Sequence, residues 1–152
     1  MTRKEQAVAY FKAGYNCAQA VFLTFIDYTG FDEKTALHLS APFGGGLGRQ
    51  REVCGAVSGM CMVAGVLYGY DDAEDKGAKA AHYSAVQTLC ERFRQQAGGS
   101  IICRDLLGIE GKSTDSTPSD RTAAYYQKRP CAELVGVAAD ILDKWIAEHP
   151  VK

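Results

Sequence analysis

An all-α fold is predicted for this chain: a compact multi-helix bundle around a buried central helix rich in glycine and alanine. Three observations predict it. No run of residues sustains the period-two alternation of a half-buried strand. Apolar residues recur at helical spacing, most clearly in Leu134, Val135, Ala138, Ile141, Leu142, Trp145 and Ile146. Residues 53–70 carry no charged side chain and are crowded with small ones, among them Gly55, Ala56, Gly59, Ala64 and Gly65. A helix apolar all round belongs inside a bundle. The stretch is long enough for a membrane span, but its small residues and scarcity of large aliphatics argue against one.

The elements follow from local chemistry. Arg3 to Lys12 sets Ala7, Val8, Tyr10 and Phe11 on one face, and Gly14 ends that helix. Asn16 is an N-cap for a helix from Cys17 to about Tyr28, stopped by Gly30. Asp32 caps a third helix that stops before Pro42. Phe43-Gly44-Gly45-Gly46-Leu47-Gly48 is irregular, its glycines supplying positive φ and close backbone approach. The central helix begins near Cys54, and Gly55-x-x-x-Gly59 and Gly65-x-x-x-Gly69 along it suit close helix packing. A long helix from about Asp72 to Gln96 starts with acidic residues and ends at Gly98 and Gly99. Ser100 caps a short helix to Leu107, and Gly111 to Ser119 reads as an exposed loop. Tyr125 and Tyr126 belong to a short turn, and Pro130 opens a last helix from Cys131 to about Glu148.

The 152 residues fit one domain, 1–152, large enough for a real core. A net charge of −1 and no basic tract exclude a nucleic-acid binder and a polybasic membrane anchor. The charged start, Met1-Thr-Arg-Lys-Glu-Gln, lacks the apolar core of a secretory signal, so a cytoplasmic location is expected. In that reducing compartment six cysteines point to metal ligation, transient redox chemistry or burial.

Four of the six share one placement. Cys17 follows Asn16, Cys54 stands where the glycine loop enters the central helix, Cys103 lies just after Ser100, and Cys131 follows Pro130. The first turn of a helix has unpaired N–H groups and partial positive charge, which lower a thiol's pKa. Arg49 and Arg51 add positive potential near Cys54, as do Lys128 and Arg129 near Cys131. Cys54 is the expected attacking thiol, with room left beside it by the glycine loop. Cys61 lies about 10 Å along the helix axis from Cys54, beyond disulfide reach. Cys61 and mid-helix Cys90 read as packing residues. No Cys-x-x-Cys occurs, so any site is assembled from distant segments. The three histidines form no Ser-His-Asp or His-Glu-x-x-His pattern, and His82 reads as a surface or core residue.

Taken in order, Gly14-Tyr15-Asn16-Cys17-Ala18-Gln19-Ala20, Phe43-Gly44-Gly45-Gly46-Leu47-Gly48, Cys54-Gly55-Ala56-Val57-Ser58-Gly59, Cys103-Arg104-Asp105-Leu106-Leu107-Gly108 and Cys131-Ala132-Glu133-Leu134-Val135 closely resemble the C_GCAxxG_C_C family of redox proteins. The resemblance implies that Cys17, Cys54, Cys103 and Cys131 are the defining cysteines. A related helical domain in split-Soret cytochromes accompanies an iron–sulfur cluster; this chain lacks the Cys-x-x-Cys-His of covalent haem attachment.

Three readings stay open at this point. The first is a redox protein using Cys17, Cys54, Cys103 and Cys131 for thiol–disulfide exchange with an unidentified redox partner. The second is a zinc or iron–sulfur site made by the same four thiolates. The third is a non-catalytic helical module with buried cysteines, a candidate homo-oligomer.

Overall fold

The computed structural model describes residues 1–109 and 115–151. Among these the regular structure is helical, with one isolated antiparallel bridge between Val53 and Ile102. Of the expected loop at 111–119, residues 111–114 lie outside the described residues, and 115–119 are exposed.

Helix α1 (Arg3–Lys12) starts at a reciprocal box, Thr2 accepting from the Glu5 N–H and Glu5 from the Thr2 N–H. Helix α2 (Cys17–Thr24) starts the same way with Asn16 and Gln19. It ends earlier than expected. Phe25 leaves helical geometry (φ −117°, ψ 19°), and α3 (Ile26–Thr29) continues as one turn to left-handed Gly30. The Thr24 hydroxyl donates to the Ala20 carbonyl at 2.8 Å, a back-bond that bends helices, and the bend sends Phe25 wholly into the core. Helix α4 (Glu33–Ser40) is capped by Asp32 as expected.

The chain then makes a 3-10 turn (Ala41–Phe43) and the single turn α5 (Gly44–Leu47) before α6 (Gly55–Tyr68). Helix α7 (Lys76–Ala97) begins later than Asp72, because Asp72 closes its own turn on the Glu74 N–H and Asp75 does the capping. Helix α8 (Cys103–Leu107) also begins late. The bridge between Val53 and Ile102 keeps residue 102 extended, and Ser100 bonds the Ile102 N–H and Asp105 instead of capping a helix. The expected Tyr125 turn is α9 (Ala123–Lys128), and α10 (Cys131–Glu148) has the expected bounds.

Helix α6 packs on α2, α7 and α10, while α2 is equally central, touching α1, α4, α6 and α10. Gly59 makes the α2–α6 approach possible: a Cβ there would stand 2.8 Å from the Ala18 carbonyl oxygen. The second small-residue repeat does no such work, since Gly65 faces open space and Gly69 ends the helix. The outer side of α6 meets solvent, with Val66 45% exposed. Among the described residues no helix is long and apolar enough to cross a membrane.

Candidate functional site

Cys17, Cys54, Cys103 and Cys131 line one cavity of about 80 Å³. They arrive there from four separate segments, each at a helix start. Cys17, Cys103 and Cys131 are the first residues of α2, α8 and α10, and Cys54 is the N-cap of α6. All are free thiols.

Two missing side chains bring the sulfurs together. A Cβ on Gly55 would stand 2.5 Å from the Cys17 sulfur, so Cys17 rests against the start of α6. A Cβ on Gly46 would stand 2.7 Å from the Cys103 Cβ. The glycine loop thus makes room for Cys103, not for a segment beside Cys54 as the sequence suggests. Backbone pairing completes the framework. The Cys103 N–H donates to the Glu52 carbonyl at 2.6 Å, and the Cys54 N–H to the Ile101 carbonyl at 2.8 Å.

Burial governs the thiols. Desolvation pushes Cys54 well above its ordinary value, with the nearby Cys17 sulfur adding to the rise and the Ala56 and Val57 N–H groups only partly opposing it. Desolvation also raises Cys103, against the Arg51 guanidinium, and Cys131, which is pushed up to about 11. The expectation that helix starts lower these thiols is therefore overturned for all three. Removing a thiolate from water outweighs the half-charge of a helix end, and α8 has only five residues to supply it.

The cations are also placed differently from expectation. Arg51 is 6% exposed and its Nη1 donates to the Cys103 sulfur at 3.7 Å. It does so from left-handed backbone (φ 63°), as do Leu47 and Arg49 nearby, a concentration of strained non-glycine residues beside the site. Arg49 turns outward to Asp115 and Ser119. Arg129 favours the thiolates of Cys103 and Cys131, whereas Lys128 is exposed.

Two site residues are absent from the sequence reading. Tyr125 lines the cavity with Cys131, and its hydroxyl is pushed up to about 12, chiefly by burial, with the Cys131 thiol adding to the rise. Arg121 donates to the Phe11 and Tyr15 carbonyls and lies over the Phe11 ring. Nothing in a loop arginine or a tyrosine six residues before a cysteine signals such a role. Outside the cavity, Cys61 and Cys90 pack in or against the apolar core as expected, on α6 and α7, and each is the main influence on the other's proton.

Four thiols have the soft donor chemistry of a zinc or cluster site. Among the described residues, however, no three of His, Cys, Asp or Glu are grouped so as to hold a metal ion. No curated protein and no solved structure matches the chain. A family profile does match, over residues 15–145, and the span includes all four cavity cysteines. The chain belongs to the C_GCAxxG_C_C family, whose description reads "Putative redox-active protein".

Proposed function

We propose that this chain is a thiol–disulfide redox protein whose reactive centre is Cys17, Cys54, Cys103 and Cys131. The observation that carries the reading is their convergence on one cavity from four distant segments. Cys103 is the attacking thiol, because Arg51 is the cation bonded to its sulfur. Cys54, the attacker favoured by sequence, is opposed in its rise by the Ala56 and Val57 N–H groups and not by a cation, and it is raised further.

In the first step the Cys103 thiolate, freed of its proton, attacks one sulfur of a disulfide. The substrate S–S bond breaks, and one thiolate leaves and takes up a proton. In the second step Cys17 loses its proton and attacks the Cys103 sulfur, releasing the second substrate thiol. Two protein thiols become one disulfide as one substrate disulfide becomes two thiols. Cys17 suits the resolving role because it is half-buried and acts electrostatically on each of the other three.

The substrate class follows from the mouth of the cavity. An adjoining groove is lined by Arg49, Arg51, Arg121 and Arg129. Arg49 is neutralised by Asp115, but among the described residues no carboxylate is paired with Arg51, Arg121 or Arg129. Such a surplus concentrates anions at the entrance, so a small disulfide bearing carboxylates fits best.

Equilibration of the full chain in glutathione redox buffers, followed by alkylation and peptide mass analysis, tests this. A reversible Cys17–Cys103 disulfide, lost in C17S and in C103S, is the expected result. Four cavity thiols that stay free across the whole range of potentials would refute the exchange mechanism.

A further inference from the structure

The chain carries a second pair of thiols that the four-cysteine centre does not use. Cys61 is on α6 and Cys90 on α7, two helices packed against each other. Both belong to the same apolar cluster, Cys61 half-buried at its edge and Cys90 9% exposed. The two thiols meet across that seam, each being the main influence on the other's proton. Arg94, one turn along α7, adds positive charge on the Cys90 side. Cys90 is lowered to about 7, first by the Cys61 thiol and then by Arg94, against the cost of burial. Cys61 is raised, by the Cys90 thiol and by burial. Cys90 is thus the member of the pair that gives up its proton first.

We propose that Cys61 and Cys90 form a second dithiol–disulfide site, which a small disulfide oxidises to an α6–α7 crosslink. The Cys90 thiolate attacks one sulfur of glutathione disulfide, and the first glutathione thiolate leaves and is protonated. The Cys61 thiol then gives up its proton and attacks the Cys90 sulfur, and the second glutathione leaves. The balance is two protein thiols and one disulfide in, one protein disulfide and two glutathione thiols out. Cys61 lies 29 residues before Cys90, so the crosslink closes a long loop and restrains the unfolded chain.

The full-length chain, reduced and then exposed to glutathione disulfide at pH 7, provides the test. Trypsin separates residues 52–76, with Cys54 and Cys61, from residues 80–92, with Cys90. The expected product is a crosslinked pair of these peptides, with fragmentation between residues 54 and 61 placing the bond on Cys61. Reduction removes it. C61A and C90A each abolish it, and C61A also slows alkylation of Cys90 at pH 7 several-fold, since the neighbouring thiol that favours its thiolate is gone. Both variants keep the cavity cysteines, so loss of the Cys17–Cys103 disulfide alone bears on that centre and not on this one. Recovery of Cys61 and Cys90 as separately alkylated thiols at every oxidant concentration would overturn the proposal. A Cys54 link to Cys90 would overturn it equally.

Discussion

Replacing Arg51 by methionine keeps much of the stem that fills this buried position and removes the charge beside Cys103. A hydrogen bond to a charged group contributes about 1.5–3 kcal/mol, or roughly one to two pKa units on the thiol. The contact spans 3.7 Å, long even for sulfur, which favours the lower end. A rise of about one unit cuts the thiolate fraction near pH 7 about ten-fold, but the more basic thiolate is also more nucleophilic, with a slope of about 0.4–0.5, so the net rate falls about four-fold. The assay is the rate of Cys103 alkylation, read site by site by mass spectrometry, with Cys131 in the same tube as the reference. Cys131 is raised by burial and by the neighbouring thiols and eased by Tyr125 and Arg129, so its rate should not fall. R51K, which keeps the charge on a different stem, should fall between. An unchanged Cys103 rate in a folded R51M chain would refute the assignment of Arg51 as the thiolate's partner. An equal drop at Cys103 and Cys131 would also refute it, by pointing to a general opening of the cavity.

G55A places a Cβ 2.5 Å from the Cys17 sulfur and 2.8 Å from the Phe43 carbonyl oxygen, and overpacking of that kind costs about 1–3 kcal/mol. G65A, on the same helix but facing open space, should instead stabilise by about 0.5–1 kcal/mol; urea titration of the two variants measures both. Stability should also fall on the alkaline side. Cys131 is raised to about 11, so the folded chain holds a proton that the unfolded chain releases near pH 8.5, and the contribution present below that pH is lost between about 8.5 and 11. Thermal melts across that range should slope downward, and less steeply in C131A, where Cys54 and Cys103 carry the rest of the slope. Metal analysis of protein purified without oxygen tests the competing zinc or cluster reading. Less than one metal per several chains is expected, and a stoichiometric metal with a thiolate absorption band, lost in C103S, would replace the exchange mechanism with ligation.

The helix starts were legible because they are local. Asn16 with Gln19, Asp32, and Pro130 before Cys131 each need only a few neighbouring residues to act, and each begins a helix where the sequence says. Early ends and late starts were less legible because other parts of the chain decide them. Phe25 leaves the helix to fill the core, and residue 102 is held extended by Val53. Selecting four cysteines by helix-start placement finds the four that share the cavity, yet the electrostatic reason for the selection fails. Desolvation is a property of everything packed around a thiol, and a sequence does not show it. Cys61 and Cys90, read as packing residues, do pack in or against the core, but that they meet was not legible. Their spacing of 29 residues says nothing until α6 and α7 lie side by side.

The glycine loop separates these two kinds of information most clearly. Its composition announces positive φ, and Gly45, Gly46 and Gly48 all adopt it. What the glycines make room for is a tertiary fact, and it can be isolated by experiment. At Gly48 (φ 60°) an added Cβ meets nothing within 4 Å, so G48A costs only the left-handed backbone, about 1–2 kcal/mol. At Gly46 (φ 68°) the same backbone cost applies, and the Cβ also meets the Cys103 Cβ at 2.7 Å and the Glu52 nitrogen at 2.7 Å. The excess cost of G46A over G48A, about 1–3 kcal/mol, measures how tightly the loop is packed on Cys103. The Glu52 nitrogen is backbone next to Arg51, so relief of the clash moves the loop that carries the guanidinium. G46A should therefore slow Cys103 alkylation as R51M does, whereas G48A should leave it unchanged. Equal stabilities and equal Cys103 rates in the two variants would show that the loop serves the turn alone and does not position the thiol's cationic partner.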